Sequence, residues 1–372
     1  MVTVLIKKQP IVFLCSKTDG GNSSWQRLNT AGATILKSEG IPFIEMSRLV
    51  RYANAQCMLV MVGNKVVAEW NFASHKSNDR IQVASVSKSF AATLIGIAEH
   101  KGLLSLDEPA SKYIGEWATG ESSKVTIRQL LAMTSGRSDF PNLFEAILDV
   151  RSAVLKTTQV HPPGKVWFYN NASSQALEIV LNRASGEDVA IFAERELFRV
   201  LNMTTSMTLG PQGVSGFFAG VKATCLDVAK LVRLYLNGGS WNGVQVLSRE
   251  FVGQALRPAV TSSEAGAQMN IAYGLQIWLN ASGGSVRLPT ATTTATVSQL
   301  KGPGPFFNTL PLDMFWFAGA CHQTAAGLPS QNLVVIMLRP GCNSEQDLLT
   351  AKLDPAPSLI FWSELEKVIN KK

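Results

Sequence analysis

Runs with the composition of β-strands stand toward both ends of this chain, and a long block with helical periodicity separates them. Cys57–Val62 (CMLVMV) and Lys65–Phe72 (KVVAEWNF) are rich in β-branched and aromatic residues and are divided only by Gly63-Asn64, which reads as a hairpin. From Ser85 the period changes: Phe90, Leu94, Ile97 and Ala98 fall on one helical face, and His100-Lys101-Gly102 supplies a basic last turn and a stop. Lys124–Met133 with Thr126 as cap, Gln175–Ala184, Asp188–Val200 and Thr224–Asn237 read as further helices. β character returns in Ile271–Leu279, Phe315–Ala320 and Leu333–Leu338, and Pro357–Asn370 closes as an amphipathic helix. Residues 16–50 read as an irregular wrap with one helix near 26–38, and Ser282–Pro305 as a long Ser/Thr/Gly/Pro loop. There is no internal repeat. This order predicts an α+β fold: one catalytic-sized domain over 1–372, with an antiparallel sheet lobe from about 1–104 and 256–372 and a mostly helical lobe inserted at about 105–255.

Composition narrows the function. With 46% apolar and 16% charged residues, the chain of 372 can bury a large core. No apolar run reaches membrane-spanning length, so no membrane span is expected. The net charge of +7 is scattered, without the basic stripe that nucleic acid requires, so no nucleic-acid partner is expected. Four scattered histidines and five widely spaced cysteines (Cys15, Cys57, Cys225, Cys321, Cys342) offer no metal spacing, and neither a metal nor a cofactor is expected. The cysteines read as buried free thiols. Together with an N-terminal patch, Ile11–Cys15, too short for a signal core, that favours a cytoplasmic location.

The chemistry centres on Ser85-Val86-Ser87-Lys88, at the opening of the first clear helix. Positions i and i+3 share a helix face, so the lysine can reach the serine hydroxyl. Burial would lower its pKa until it could accept that proton. The same spacing recurs at Ser298-Gln299-Leu300-Lys301, but Gly302-Pro303-Gly304-Pro305 follows and no helix can form there. Ser298→Ala should therefore be silent. A second constellation is Tyr169-Asn170-Asn171, after a Pro162-Pro163-Gly164 turn and before a helix. A loop tyrosine with a lowered pKa could relay protons between serine and leaving group, and Asn171 could hydrogen-bond the lysine or the substrate amide.

In this order and separation, Ser85-x-x-Lys88 and Tyr169-x-Asn171 resemble the serine β-lactamase-like superfamily. It includes class C β-lactamases, D-Ala-D-Ala carboxypeptidases, family VIII esterases and 6-aminohexanoate-dimer hydrolases. The segments Val125–Phe140, Gly186–Ser206 and Phe217–Ser248 are similar to that family as well, so the resemblance runs continuously over roughly 55–260. It implies Ser85 as nucleophile, Lys88 and Tyr169 as base and acid, and an oxyanion hole from the backbone N–H groups of Ser85 and Phe317. The family's third motif, a strand with Lys-Thr-Gly or His-x-Gly, falls here on Met314-Phe315-Trp316, with no cation to clamp a substrate carboxylate. Efficient penicillin hydrolysis is therefore not expected. Met314 and Trp316 would line an apolar pocket, and His322 lies close enough to touch substrate. The expected partner is a small ester or amide. Acyl transfer, D-amino-acid peptide cleavage or β-lactam hydrolysis with the same machinery is the alternative, and a catalytically silent ligand-binding homologue is the alternative of another class.

Overall fold

A computed structural model describes residues 12–17, 23–28, 43–260, 272–281, 307–341 and 356–370, with isolated positions 305, 344, 346 and 347. The first strands, β1 (Val12–Lys17) and β2 (Ser23–Leu28), pair antiparallel, and helix α1 spans Phe43–Tyr52. The helix expected near 26–38 is corrected at its start, where β2 runs to Leu28. Its remainder lies outside the described residues, as does most of the loop expected at Ser282–Pro305.

The central sheet uses β3 (Cys57–Val62), β4 (Lys65–Asn71), β5 (Trp278–Leu279), β6 (Phe315–Gly319), β7 (Gln323–Leu328) and β8 (Leu333–Leu338), in the order β5-β6-β7-β8-β3-β4 and antiparallel throughout. β3 and β4 form the hairpin that Gly63-Asn64 announced. β8 pairs with β3 over the whole of each strand, from Leu333 opposite Val62 to Leu338 opposite Cys57. At this one pairing the sheet joins strands from opposite ends of the chain.

Side chains alternate across this sheet, and each face has its own core. Leu59, Ile336, Phe315 and Phe317 face helix α2 (Ser87–His100) and helix α4 (Cys225–Leu236). Met58, Val335 and Trp316 face α1 and the terminal helix α5 (Ala356–Asn370). A sheet buried on both faces explains why its strands read as continuous apolar runs. Helix α3 (Asn171–Ser185) packs on α2 from the far side.

The structure trims the helix expected at Lys124–Met133 to Ile127–Leu131, capped by Thr126, whose side chain accepts from the Gln129 N–H while Gln129 returns to the Thr126 N–H. The free-thiol reading is corrected. Cys57, at the start of β3, is bonded to Cys225, the first residue of α4, with Cα atoms 6.4 Å apart, and Cys321 is disulfide-bonded as well. Sequence spacing could not show this, because Cys57 and Cys225, at a sequence separation of 168, are brought together only by packing α4 on the sheet. Disulfides persist in oxidising surroundings, so the cysteines no longer argue for a reducing compartment. Among the described residues no helix is long and apolar enough to cross a membrane.

Candidate active site

The serine sits in a tight turn ahead of α2. Residues Ala84–Val86 form one 3₁₀ turn, and Ala84 takes a positive φ of 47°, a strained conformation for a residue with a Cβ. Ser87 holds the turn: its hydroxyl donates to the Ala84 carbonyl at 2.6 Å and accepts from the Val221 N–H at 3.1 Å. Ser85 itself stays partly exposed.

One turn along, Lys88 is 1% exposed. Its Nζ donates to three acceptors: Ser85 Oγ at 3.0 Å, Asn171 Oδ1 at 2.9 Å and the Phe218 carbonyl at 2.9 Å. None of these acceptors is charged. Burial accordingly lowers the Lys88 pKa from an ordinary 10.5 to about 7, against the opposing pull of the Asp139 carboxylate. Such an amine exchanges protons with a hydroxyl near neutral pH.

Tyr169 approaches from the loop before α3. Lys88 Nζ lies 4.9 Å from its ring centroid, and the Ser85 side chain is near enough to influence its hydroxyl. Sequence reasoning asked for a lowered tyrosine pKa, and the structure reverses the direction. Burial raises it above the ordinary phenol range, only partly offset by the Ser85 side chain. Tyr169 therefore stays protonated and can donate.

Asn171 opens α3, with Asn170 as its cap, the Asn170 side chain accepting from Ser173 N at 2.6 Å. Two partners of the site carried no signal in the sequence pattern. Asp139 lies inside a segment matched for its Thr134-Ser135-Gly136 turn, yet its carboxylate meets Asn171 Nδ2 at 3.0 Å. Phe218 contributes only its carbonyl, which no residue type announces. Its loop is fixed by Gln175 of α3, which donates to the Ser215 carbonyl and accepts from the Phe217 N–H, both at 2.9 Å.

The remaining candidates sit further off. Met314 and Trp316 are buried on the α5 face of the sheet. Trp316 stacks on Trp278, with centroids 6.2 Å apart, and Trp278 stacks in turn on Tyr169 at 5.8 Å. Trp316 thus reaches the site through one intervening ring. Phe317 is buried in mid-strand opposite Ala325, its ring against Tyr235. The part of β6 that abuts the serine turn is its end: a Cβ on Gly319 would lie 2.4 Å from the Val83 carbonyl, so only glycine permits this approach. His322 follows in the turn to β7, and its Nδ1 lies 2.8 Å from Ser358 Oγ on α5. Beside the site, a cavity of about 320 Å³ is lined by Asp139, Phe140, Pro141, Val160, Val166 and Phe168 among others.

The chain is similar in sequence and in fold to known proteins. The chain is 27% identical over 161 residues to penicillin-binding protein 4* of Bacillus subtilis, covering 39% of this chain and 35% of that protein. It is 25% identical over 219 residues to the 6-aminohexanoate-dimer hydrolase of Paenarthrobacter ureafaciens, covering 53% and 56%. The chain therefore spans from about a third to just over half the length of these curated relatives. In fold it resembles a family VIII carboxylesterase, with a TM-score of 0.61 at 15% identity over 87% of this chain and 98% of that one. The Beta-lactamase family profile matches residues 57–348, more than three quarters of the sequence, and the chain belongs to that family.

Proposed function

We propose that the protein is a serine hydrolase that opens an ester or amide through an acyl-enzyme on Ser85. One observation carries this reading: a buried lysine with a pKa near 7 lies 3.0 Å from the hydroxyl of a partly exposed serine. In the reaction, neutral Lys88 takes the Ser85 proton as Oγ bonds to the carbonyl carbon. The carbonyl π pair moves onto oxygen, held by the Ser85 N–H and an N–H of β6. Phe317 is the strand residue that the family resemblance selects; the close approach of Gly319 to Val83 favours the end of the strand, two residues on. As the tetrahedral intermediate collapses, Tyr169 gives its proton to the leaving oxygen or nitrogen and is reprotonated from Lys88. Water then repeats the sequence, with the serine as leaving group.

The cavity beside Asp139 mixes apolar Phe140, Pro141, Val160, Val166 and Phe168 with polar Arg137, Ser138 and His161, so it does not by itself select an apolar or a polar substrate. β6 carries no cation from Phe315 to Gly319, which disfavours substrates held by a carboxylate. The two curated relatives are named as a penicillin-binding protein and a 6-aminohexanoate-dimer hydrolase, so short p-nitrophenyl esters, nitrocefin and linear amides form the first panel. A fluorophosphonate probe should add its mass to the peptide carrying Ser85, and Ser85→Ala should lose both the label and turnover. Labelling elsewhere with activity retained would sink the proposal.

The lysine also sets a pH dependence. It must be neutral to accept a proton, so kcat/KM should fall about tenfold per pH unit below roughly pH 7. Tyr169, protonated well beyond that pH, should add no alkaline limb below about pH 10. A profile flat from pH 5 to 9 would rule out Lys88 as the base.

A further inference from the structure

We propose that Asp139 is a positioning residue, acting on the Ser85–Lys88 pair through Asn171 by fixing which end of that amide faces the lysine. The inference rests on the reading of Ser85 as nucleophile and Lys88 as base.

An asparagine side chain has a donor end and an acceptor end of nearly equal size. Asp139 settles their assignment, because an ionised carboxylate only accepts. One of its oxygens takes Asn171 Nδ2 at 3.0 Å, which leaves Oδ1 to meet Lys88 Nζ at 2.9 Å. The other takes the Ala172 N–H at 2.8 Å, an amide in the first turn of the 15-residue α3 that has no partner within its helix. The carboxylate is thus anchored by the helix that carries the amide it orients.

The orientation matters to the neutral lysine. A neutral amine has two N–H bonds and one lone pair. With Asn171 Oδ1 and the Phe218 carbonyl each accepting an N–H at 2.9 Å, the lone pair remains for the Ser85 hydroxyl at 3.0 Å. A flipped Asn171 would offer Nδ2 to that lone pair, and the base would be occupied by the wrong donor.

Asp139 has a second effect through charge. The groups facing Lys88 among the described residues are the Ser85 hydroxyl, the Tyr169 and Phe218 rings, the Asn171 amide, the Phe218 carbonyl and, beyond Asn171, the Asp139 carboxylate. Asp139 is the charged one. Its negative charge favours the ammonium, so removing it moves the lysine toward the neutral form at a given pH.

The test uses Asp139→Asn, Asn171→Ala and the double variant in the full chain, with rates expressed per serine titrated by the fluorophosphonate. Asp139→Asn should lower kcat by about 10- to 100-fold while KM changes by less than about threefold. The acid limb of its kcat/KM profile should move down by about half a pH unit or more, so its deficit relative to wild type shrinks as the pH falls. The double variant should be no worse than Asn171→Ala by more than about twofold, because both changes act on one contact. Should Asp139→Asn fold poorly, Asp139→Ser still offers an oxygen to the Ala172 N–H without the charge, and it is read in the same way. A wild-type kcat and acid limb per titrated site, whatever the melting temperature, would reduce Asp139 to a helix cap and overturn the proposal, as would full additivity in the double variant. If Ser85→Ala itself remains active, the underlying reading has failed instead.

Discussion

Lys88→Met is expected to remove turnover and to make the protein more stable. Without the amine nothing within reach can take the Ser85 proton, since Tyr169 is held in its protonated form, and kcat should drop by about 10⁴-fold or more. The gain in stability has a separate origin. A shift from 10.5 to about 7 means that the folded protein disfavours the Lys88 ammonium by about 5 kcal/mol relative to water. Methionine has similar length and no charge to desolvate. It leaves the Asn171 and Phe218 oxygens without their donor, at about 1–3 kcal/mol apiece where no water replaces it, so the net ranges from a loss of about 1 to a gain of about 3 kcal/mol, centred on a gain of about 1. For a chain of 372 residues the unfolding entropy is about 0.8 kcal/mol per degree, which converts the central value to a rise of about 1 °C in Tm.

The pH dependence separates this origin from better packing. Between about pH 7 and 10.5 the unfolded chain holds the Lys88 proton and the folded chain does not, so wild-type stability rises with pH across that window. The variant lacks that term. The difference in Tm should therefore be largest at and below about pH 7 and should shrink toward pH 10. A difference in Tm that stays constant from pH 7 to pH 10 would refute a desolvated lysine and leave the proposed pKa for the base without support.

The second large effect concerns the Cys57–Cys225 disulfide. It closes a loop with a sequence separation of 168, for which the chain-entropy relation gives about 5 kcal/mol of stabilisation as an upper figure. The Cys57→Ala/Cys225→Ala variant should melt about 3–6 °C below the oxidised wild type. Reductant should bring the wild type down toward the variant without moving the variant by a comparable amount. Activity in the folded variant should persist, because Cys225 is the first residue of α4, after its Thr224 cap, and takes part in none of the Lys88 hydrogen bonds. An unchanged melting temperature in the variant would show that the cross-link adds nothing to α4 packing.

How much was legible in the sequence follows the distance over which each feature is decided. Ser85 and Lys88 are three residues apart on one helix, and helix geometry alone brings their side chains together. The β3–β4 hairpin is similarly local. Strand β7 was not legible, because Gln323–Leu328 (QTAAGL) is built from small residues. The reason lies in its neighbours: a Cβ on Gly327 would lie 2.5 Å from the Phe315 ring and 2.7 Å from Leu236, so aromatic residues on β6 and a leucine of α4 dictate the small side chains of β7. Trp316 and Phe317 were both named from the sequence as site residues. Alternation along β6 sends their side chains to opposite faces, Phe317 into the core on the α2 side and Trp316 into the core on the α5 side.

The sequence by itself determined the Ser85–Lys88 pairing, the helix that carries it and the family to which it points, because these depend on spacing within a few residues. Only the tertiary structure decided what surrounds the pair. Asn171 and Phe218 reach Lys88 from 83 and 130 residues away. Burial that lowers the lysine pKa and raises that of Tyr169 is a property of the whole assembled core. So is the meeting of Cys57 with Cys225. Desolvation and long-range contact are sums over residues that are neighbours in space, and the linear order of the chain does not contain them.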